Sequence, residues 1–119
     1  QILVVDDSAT VRNEVSSFFK GKGYDVATAN DGKQGLGKIK TDASIKLVFC
    51  DVNMPIMDGL TMVEKVRNEL KNSKTAIIML TTESDPKMKA RGKASGVKGW
   101  IVKPFNGTSV LGAVKKLIG

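Results

Sequence analysis

Short apolar runs alternate along this chain with longer segments in which apolar residues recur at helical spacing. Five of the short runs have the length and composition of strands: Ile2–Asp6, Tyr24–Ala29, Lys46–Asp51, Ala76–Thr81 and Gly99–Val102. This alternation is typical of α/β domains in which helices cover a parallel sheet. Four runs are mainly apolar without alternation, as expected of strands covered on both faces, whereas Tyr24–Ala29 is more mixed and is predicted to lie at an edge.

The segments between the strand candidates are predicted to be helices. Apolar stripes at helical spacing define the first, third and fifth of them: Val11, Val15, Phe18 and Phe19; Leu60, Val63, Val66 and Leu70; Val110, Leu111, Val114, Leu117 and Ile118. Asp31–Lys40 carries three glycines and is the weakest helix candidate. Asp85–Pro86 reads as a helix cap followed by proline in the first turn. The pattern predicts one (βα)5 domain over residues 1–119, without linkers or repeats.

Composition limits the classes of function. A chain of 119 residues has room for one core, and no apolar run approaches the roughly 20 residues that span a bilayer. The single cysteine, Cys50, fits a reducing compartment, so a cytoplasmic protein is expected. The net charge is +7, but the basic residues are scattered and form no long run. This distribution argues against nucleic-acid binding and fits acidic protein partners.

Carboxylates stand where two of the predicted strands end. Asp6 and Asp7 close the first strand candidate, and Asp51 closes the third. The carboxyl ends of parallel strands share one edge of the sheet, where ligands bind. If the first and third strands are neighbours, these three carboxylates converge and should either protonate or bind a cation. Oxygen ligands without His or Cys favour Mg²⁺, with Mn²⁺ or Ca²⁺ as substitutes.

Two further polar residues are predicted at the same edge. Thr81 ends the fourth strand candidate and Lys103 follows the fifth. A hydroxyl, an ammonium and a divalent cation together can stabilise the charge on a transferring phosphoryl group. Asp51 is the best candidate for a phosphoacceptor, because it ends a central strand and precedes a loop marked by proline and glycine.

Other interpretations of these residues exist. An aspartate after a strand is most often a helix cap or a turn former, so the prediction depends on the conjunction of several such residues at one edge. A phosphatase or phosphotransferase of the haloacid dehalogenase type would need a second aspartate where Asn53 stands. No phosphate-binding loop of the P-loop type is present. A domain cut from a longer chain that carries a separate DNA-binding or enzymatic domain remains an open alternative.

Four segments of the chain resemble the response-regulator receiver family. They are ILVVDDS at Ile2–Ser8, DVNMPIMDG at Asp51–Gly59, MLTTE at Met79–Glu83 and GWIVKPF at Gly99–Phe105. The resemblance covers essentially the whole chain and implies a flavodoxin-like, doubly wound sheet with strand order 2-1-3-4-5.

The resemblance also implies roles for the site residues. Asp51 receives the phosphoryl group from a phosphohistidine of a histidine kinase, Lys103 contacts the phosphoryl oxygens, and Thr81 reorients toward one of them. The resemblance further implies the ligands of the Mg²⁺ ion: Asp7, Asp51, the backbone carbonyl of Asn53 and, through water, Asp6. The peptide between Lys103 and Pro104 is expected to be cis, which is common only before proline.

Two positions depart from the usual pattern of the family. Trp100 stands where a Tyr or Phe is common as the switch aromatic, and Thr82 stands where a smaller residue is frequent. Asn53 and Glu83 lie at positions where family members tune the lifetime of the acyl phosphate.

The resemblance implies a monomeric signalling switch rather than an enzyme with a separate substrate; it would catalyse only its own phosphotransfer and slow dephosphorylation. Its output face would be the fourth helix, fifth strand and fifth helix, with Lys87, Lys89, Lys93, Trp100 and Lys115. A chemotaxis system is expected, with a flagellar motor switch protein as target and a phosphatase as a further partner.

Overall fold

The computed structural model describes all residues, 1–119, and shows a sheet of five parallel strands between two layers of helices. The strands are β1 (Ile2–Val5), β2 (Val26–Ala29), β3 (Leu47–Cys50), β4 (Ala76–Thr81) and β5 (Gly99–Val102). The helices are α1 (Ala9–Gly21), α2 (Gly32–Thr41), α3 (Gly59–Asn68), α4 (Pro86–Ala94) and α5 (Gly107–Ile118). The strand order is β2-β1-β3-β4-β5, so the predicted fold is confirmed.

Alternate strand residues face opposite layers, and the core therefore has two halves. Leu3, Val5 and Val48 belong to the half that packs on α2 and α3. The other half takes residues such as Val4 and Phe49 and packs on α1 and α5. Both faces of the central strands are buried, which explains why their sequences lack polar alternation. No helix has the length and apolar character needed to cross a membrane.

A polar cap begins each helix. The side chain of each cap residue accepts a hydrogen bond from a backbone amide of the first turn; the caps are Ser8, Asp31, Asp58, Asp85 and Asn106. Pro86 follows its cap as predicted. The glycine-containing α2 packs closely against α3: a Cβ on Gly35 would lie 2.8 Å from Met62 Sδ.

Two details of the sequence prediction were wrong. Strand ends are shorter than expected, so Tyr24, Asp25 and Lys46 lie outside the strands. The fifth strand was expected to be covered on both faces, but its residues are only partly buried and Val102 is 48% exposed. Its apolar composition does not reveal this exposure, whereas its edge position follows from the confirmed strand order.

Candidate functional site

The register of β1 and β3 brings the predicted carboxylates together. Val5 pairs with Cys50, so Asp6 and Asp51 follow a matched pair of neighbouring residues. Carboxylate oxygens of Asp6, Asp7 and Asp51 all lie within 4.8 Å of one another. Asp6 and Asp51 are buried, and Asp7 is exposed at the rim. The prediction that the first and third strands are neighbours is confirmed.

Lys103 lies between the two buried carboxylates. Its Nζ is 3.0 Å from Asp6 Oδ2 and 3.0 Å from Asp51 Oδ2. Burial on its own lowers the pKa of Lys103, but the hydrogen bonds to Asp6 and Asp51 outweigh it, so the pKa is raised above its ordinary value. Burial is also the main cause of a raised pKa at Asp6, and the Ser8 amide opposes it. The ammonium therefore stays charged and offsets part of the carboxylate charge.

Backbone groups hold the two carboxylates in place. The amide of Val52 donates to Asp51 Oδ1 at 2.7 Å, and the amide of Ser8 donates to Asp6 Oδ1 at 2.9 Å. The loop after Asp51 folds tightly back, since a Cβ on Gly59 would lie 1.8 Å from the Asp51 carbonyl oxygen. Only glycine fits there, and the DG pair at the start of α3 is the sequence sign of this close approach.

Arg12 is a supporting residue that no motif singled out. Its Nη1 donates to the backbone carbonyl of Asp6 at 2.7 Å and so ties α1 to the end of β1. The only sign of this role in the sequence is the position of Arg12 in the first turn of α1, after the Ser8 cap.

Glu83 joins the two predicted switch residues through its backbone. Its amide donates to Thr81 Oγ1 at 3.1 Å, and its carbonyl accepts from Trp100 Nε1 at 2.8 Å. The hydroxyl of Thr81, at the end of β4, and the indole of Trp100, on β5, therefore share one peptide segment. Sequence reasoning placed all three residues at the site but missed this link.

The remaining predicted residues lie around the same edge. Asn53 Nδ2 donates to Glu83 Oε2 at 3.2 Å, so the two side chains form a bridge across the rim. Thr82 is exposed beside it. The peptide before Pro104 is cis, as expected. Cys50 is a buried packing residue, and burial raises the pKa of its thiol.

The donor set fits a hard divalent cation. The cluster is made of carboxylate oxygens alone, and it contains no His or Cys Sγ ligand. Oxygen-only sites are the ones that Mg²⁺ prefers, and three carboxylates in so small a space favour a bound cation because they repel one another. The residues present therefore fit Mg²⁺.

Comparison with known proteins identifies the class. Residues 2–115 match the response regulator receiver domain, and the chain belongs to that family. It is 35% identical over 115 residues to protein PilG of Pseudomonas aeruginosa, covering 97% of this chain and 84% of PilG.

Two solved structures narrow the class to chemotaxis regulators. The chemotaxis protein CheY4 of Vibrio cholerae has a TM-score of 0.88 and 41% identity, with 98% of this chain and 97% of that chain covered. The CheX–CheY–BeF3–Mg²⁺ complex from Borrelia burgdorferi has a TM-score of 0.89 and 29% identity, with 99% and 88% covered. This chain is a CheY-like chemotaxis receiver domain, a class whose signalling depends on phosphorylation.

Proposed function

We propose that Asp51 accepts a phosphoryl group from a phosphohistidine of a histidine kinase, and that this changes the face formed by α4, β5 and α5. The observation that carries the proposal is the convergence of Asp6, Asp7, Asp51 and Lys103 at one edge of the sheet. Buried acids with a shared lysine and room for a cation are what phosphoryl transfer to a carboxylate requires.

In the transfer step a carboxylate oxygen of Asp51 attacks phosphorus, a P–O bond forms, and the P–N bond to the donor histidine breaks. Lys103 neutralises charge on the transferred group, because its ammonium already lies 3.0 Å from Asp51 Oδ2. Bound Mg²⁺, or Mn²⁺ or Ca²⁺ in its place, would supply further neutralisation of the phosphoryl oxygens. The residues that would hold it are Asp6, Asp7, Asp51 and the backbone carbonyl of Asn53.

The switch follows from the hydrogen bonds of Thr81. Its oxygen accepts from the Glu83 amide, so its own proton is available to a new acceptor. A phosphoryl group adds three strong acceptor oxygens beside it, and Thr81 turns toward one of them. Because the Glu83 carbonyl also holds Trp100, a shift of Glu83 changes the environment of the indole. The result is a change in the populations of two arrangements.

The output surface has a groove suited to a protein segment. A cavity of about 520 Å³ lies between β5 and α5 and is lined by Ile78, Lys98, Gly99, Trp100, Ile101, Ser109, Val110, Ala113, Lys116 and Leu117. An apolar floor with lysines at its sides suits an acidic segment that carries apolar residues. Lys87, Lys89 and Lys93 extend the positive charge along α4. We assign this surface to the target, with a flagellar motor switch protein as the specific candidate.

A monomeric, cytoplasmic receiver over residues 1–119 would act through partner binding, and its own chemistry would be limited to phosphotransfer and slow dephosphorylation. The Asn53–Glu83 bridge is exposed at the rim of the site, so it is the candidate for setting the lifetime of the acyl phosphate. CheX in the Borrelia complex is bound to a CheY, which supports a phosphatase as an additional partner of this chain.

The test uses Trp100, the only tryptophan of the chain, as a reporter. Adding Mg²⁺ and beryllofluoride to the full chain is expected to change its fluorescence, and Asp51→Asn should abolish the change. Asp25→Asn, an exposed aspartate away from the site, is the matched control and should respond as wild type does. A full response in Asp51→Asn, or an equal response without Mg²⁺, would refute the proposal.

A further inference from the structure

Helix α4 is attached to the domain with very little apolar burial. Gly92 is its only buried residue, and Met88 is its only large apolar side chain, which is partly buried. A helix without an apolar stripe gains little from burial and needs other contacts to stay in place. On α4 those contacts are polar and come from the neighbouring helix α3.

One of these contacts is a two-pronged ion pair. Arg91 Nε lies 2.7 Å from Glu64 Oε2, and Arg91 Nη2 lies 2.7 Å from Glu64 Oε1. Arg91 Nη2 also donates to Thr61 Oγ1 at 3.3 Å. We call this set, Arg91 with Glu64 and Thr61, the Arg91 clamp. Bidentate geometry of this kind fixes orientation as well as distance.

The Arg91 clamp connects to the loop that follows Asp51. The Thr61 hydroxyl donates to Asp58 Oδ2 at 3.1 Å, and Asp58 is the cap of α3. Gly59, the next residue, packs directly against the carbonyl of Asp51. A continuous series of contacts therefore runs from the phosphoacceptor segment through the start of α3 to α4. This route lies on the α3 side and is separate from the Thr81–Glu83–Trp100 link.

We propose that the Arg91 clamp couples the loop after Asp51 to α4 and stabilises the unphosphorylated position of that helix. The inference rests on the proposed function, because it concerns the regulation of the same site. The clamp is formed in an arrangement in which Lys103 contacts the free Asp51 carboxylate. It favours that arrangement because its bidentate geometry is lost when α4 moves. Removing the clamp shifts the equilibrium toward the phosphorylated arrangement without touching the reacting atoms.

The test compares Arg91→Gln, Glu64→Gln and the double variant in a beryllofluoride titration at saturating Mg²⁺, followed by Trp100 fluorescence. Each variant is expected to lower the titration midpoint roughly twofold, in the lower part of the range for an exposed ion pair. The double variant should match the single variants, because the Arg91–Glu64 pair is lost in all three. Glu69→Gln, which removes the Lys65–Glu69 pair elsewhere on α3, is the matched control and should titrate as wild type does.

Charge alone predicts a different result. Loss of a positive charge at Arg91 would weaken anion binding, and loss of a negative charge at Glu64 would strengthen it, so the two midpoints would move in opposite directions. The clamp would be overturned if the two midpoints moved in opposite directions, or if neither moved although the protein responds to beryllofluoride.

A second readout separates this proposal from the proposed function. In the metal-free protein without beryllofluoride, α4 amides should exchange hydrogen faster in Arg91→Gln and Glu64→Gln than in wild type. If wild type does not respond to beryllofluoride, the proposed function fails, and the exchange rates alone decide: unchanged rates in α4 overturn the clamp.

Discussion

The helices on either side of β5 are attached to the domain in different ways. Helix α5 buries Val110 and Val114 in the core, and Leu111, Leu117 and Ile118 pack against it. Helix α4 buries only Gly92 and is held to α3 by polar contacts. Apolar burial is non-directional and is lost gradually, whereas hydrogen bonds and ion pairs depend on geometry and can be exchanged for others.

A second arginine, Arg67, also attaches α4 by polar contacts. Arg67 of α3 donates from Nε to the Ser95 carbonyl at 2.9 Å and from Nη1 to the Thr75 carbonyl at 2.8 Å. Its partners are backbone oxygens rather than carboxylates, and burial lowers its pKa. The end of α4 is thus held by directional hydrogen bonds from Arg67. The comparison indicates that α5 is the fixed side of the proposed output surface and α4 the adjustable side.

The largest expected difference is in stability. Val114→Ala should lower the free energy of unfolding by about 2.5 kcal/mol, because it removes two methyl groups from a fully buried site. Met88→Ala on α4 is the matched change and should cost less than about 1 kcal/mol, because Met88 is only partly buried. Urea unfolding of the two variants measures both values. Equal losses would remove the distinction between the two helices.

Alanine substitutions at two glycines of α5 are expected to change the free energy of unfolding by smaller amounts and in opposite directions. A Cβ on Gly107 would lie 2.5 Å from the Phe18 ring, which packs at 5.0 Å from Phe19 and 5.8 Å from Phe105 between ring centroids. Gly107→Ala should therefore destabilise by about 2 kcal/mol. Gly112 has no neighbour within 4 Å, and Gly112→Ala should stabilise by about 0.5–1 kcal/mol through helix propensity. Thermal or urea unfolding distinguishes the two. A stabilised Gly107→Ala would show that α5 is not closely packed on α1.

The smallest expected effect depends on pH and concerns the attachment of α4, because an ion pair joins Arg91 of α4 to Glu64 of α3, whereas no ion pair involves a residue of α5. The hydrogen bond from Arg91 holds the pKa of Glu64 below its ordinary value of 4.5, although partial burial and, less strongly, nearby Asp58 raise it. A carboxyl group whose pKa is lower in the folded than in the unfolded state stabilises the fold at pH values above its unfolded pKa. This stabilisation is lost as the pH falls through the folded pKa. Both side chains are partly exposed, so the contribution at neutral pH is at most about 0.5 kcal/mol.

Urea unfolding of wild type and Arg91→Gln at several pH values tests this prediction. The stability difference should be present at neutral pH and should shrink progressively below pH 4.5. The difference between wild type and Val114→Ala should stay constant over the same range. A clamp difference that does not change with pH would show that Glu64 is not its partner.

The functional site shows which contacts a local sequence pattern can predict and which it cannot. Strand-ending polar residues were identifiable because parallel strands all end at one edge, so Asp6, Asp51 and Lys103 could be placed together before any coordinates. The Asn53–Glu83 bridge could not be foreseen, because it joins two loops whose paths are not encoded in any periodic pattern. The same limit applies to β5, whose composition resembles that of a central strand.

The order of strands and helices, the helix caps and the chemistry of the carboxyl edge follow from the sequence itself. They depend on periodicity and on residue types within short segments, where neighbours along the chain determine the outcome. The Arg91 clamp and the Glu83 link were decided by the tertiary structure. Arg91 and Glu64 are 27 residues apart, and Trp100 and Glu83 are 17 apart. Such pairs meet only after helices and strands have packed, because packing selects which exposed polar side chains become neighbours.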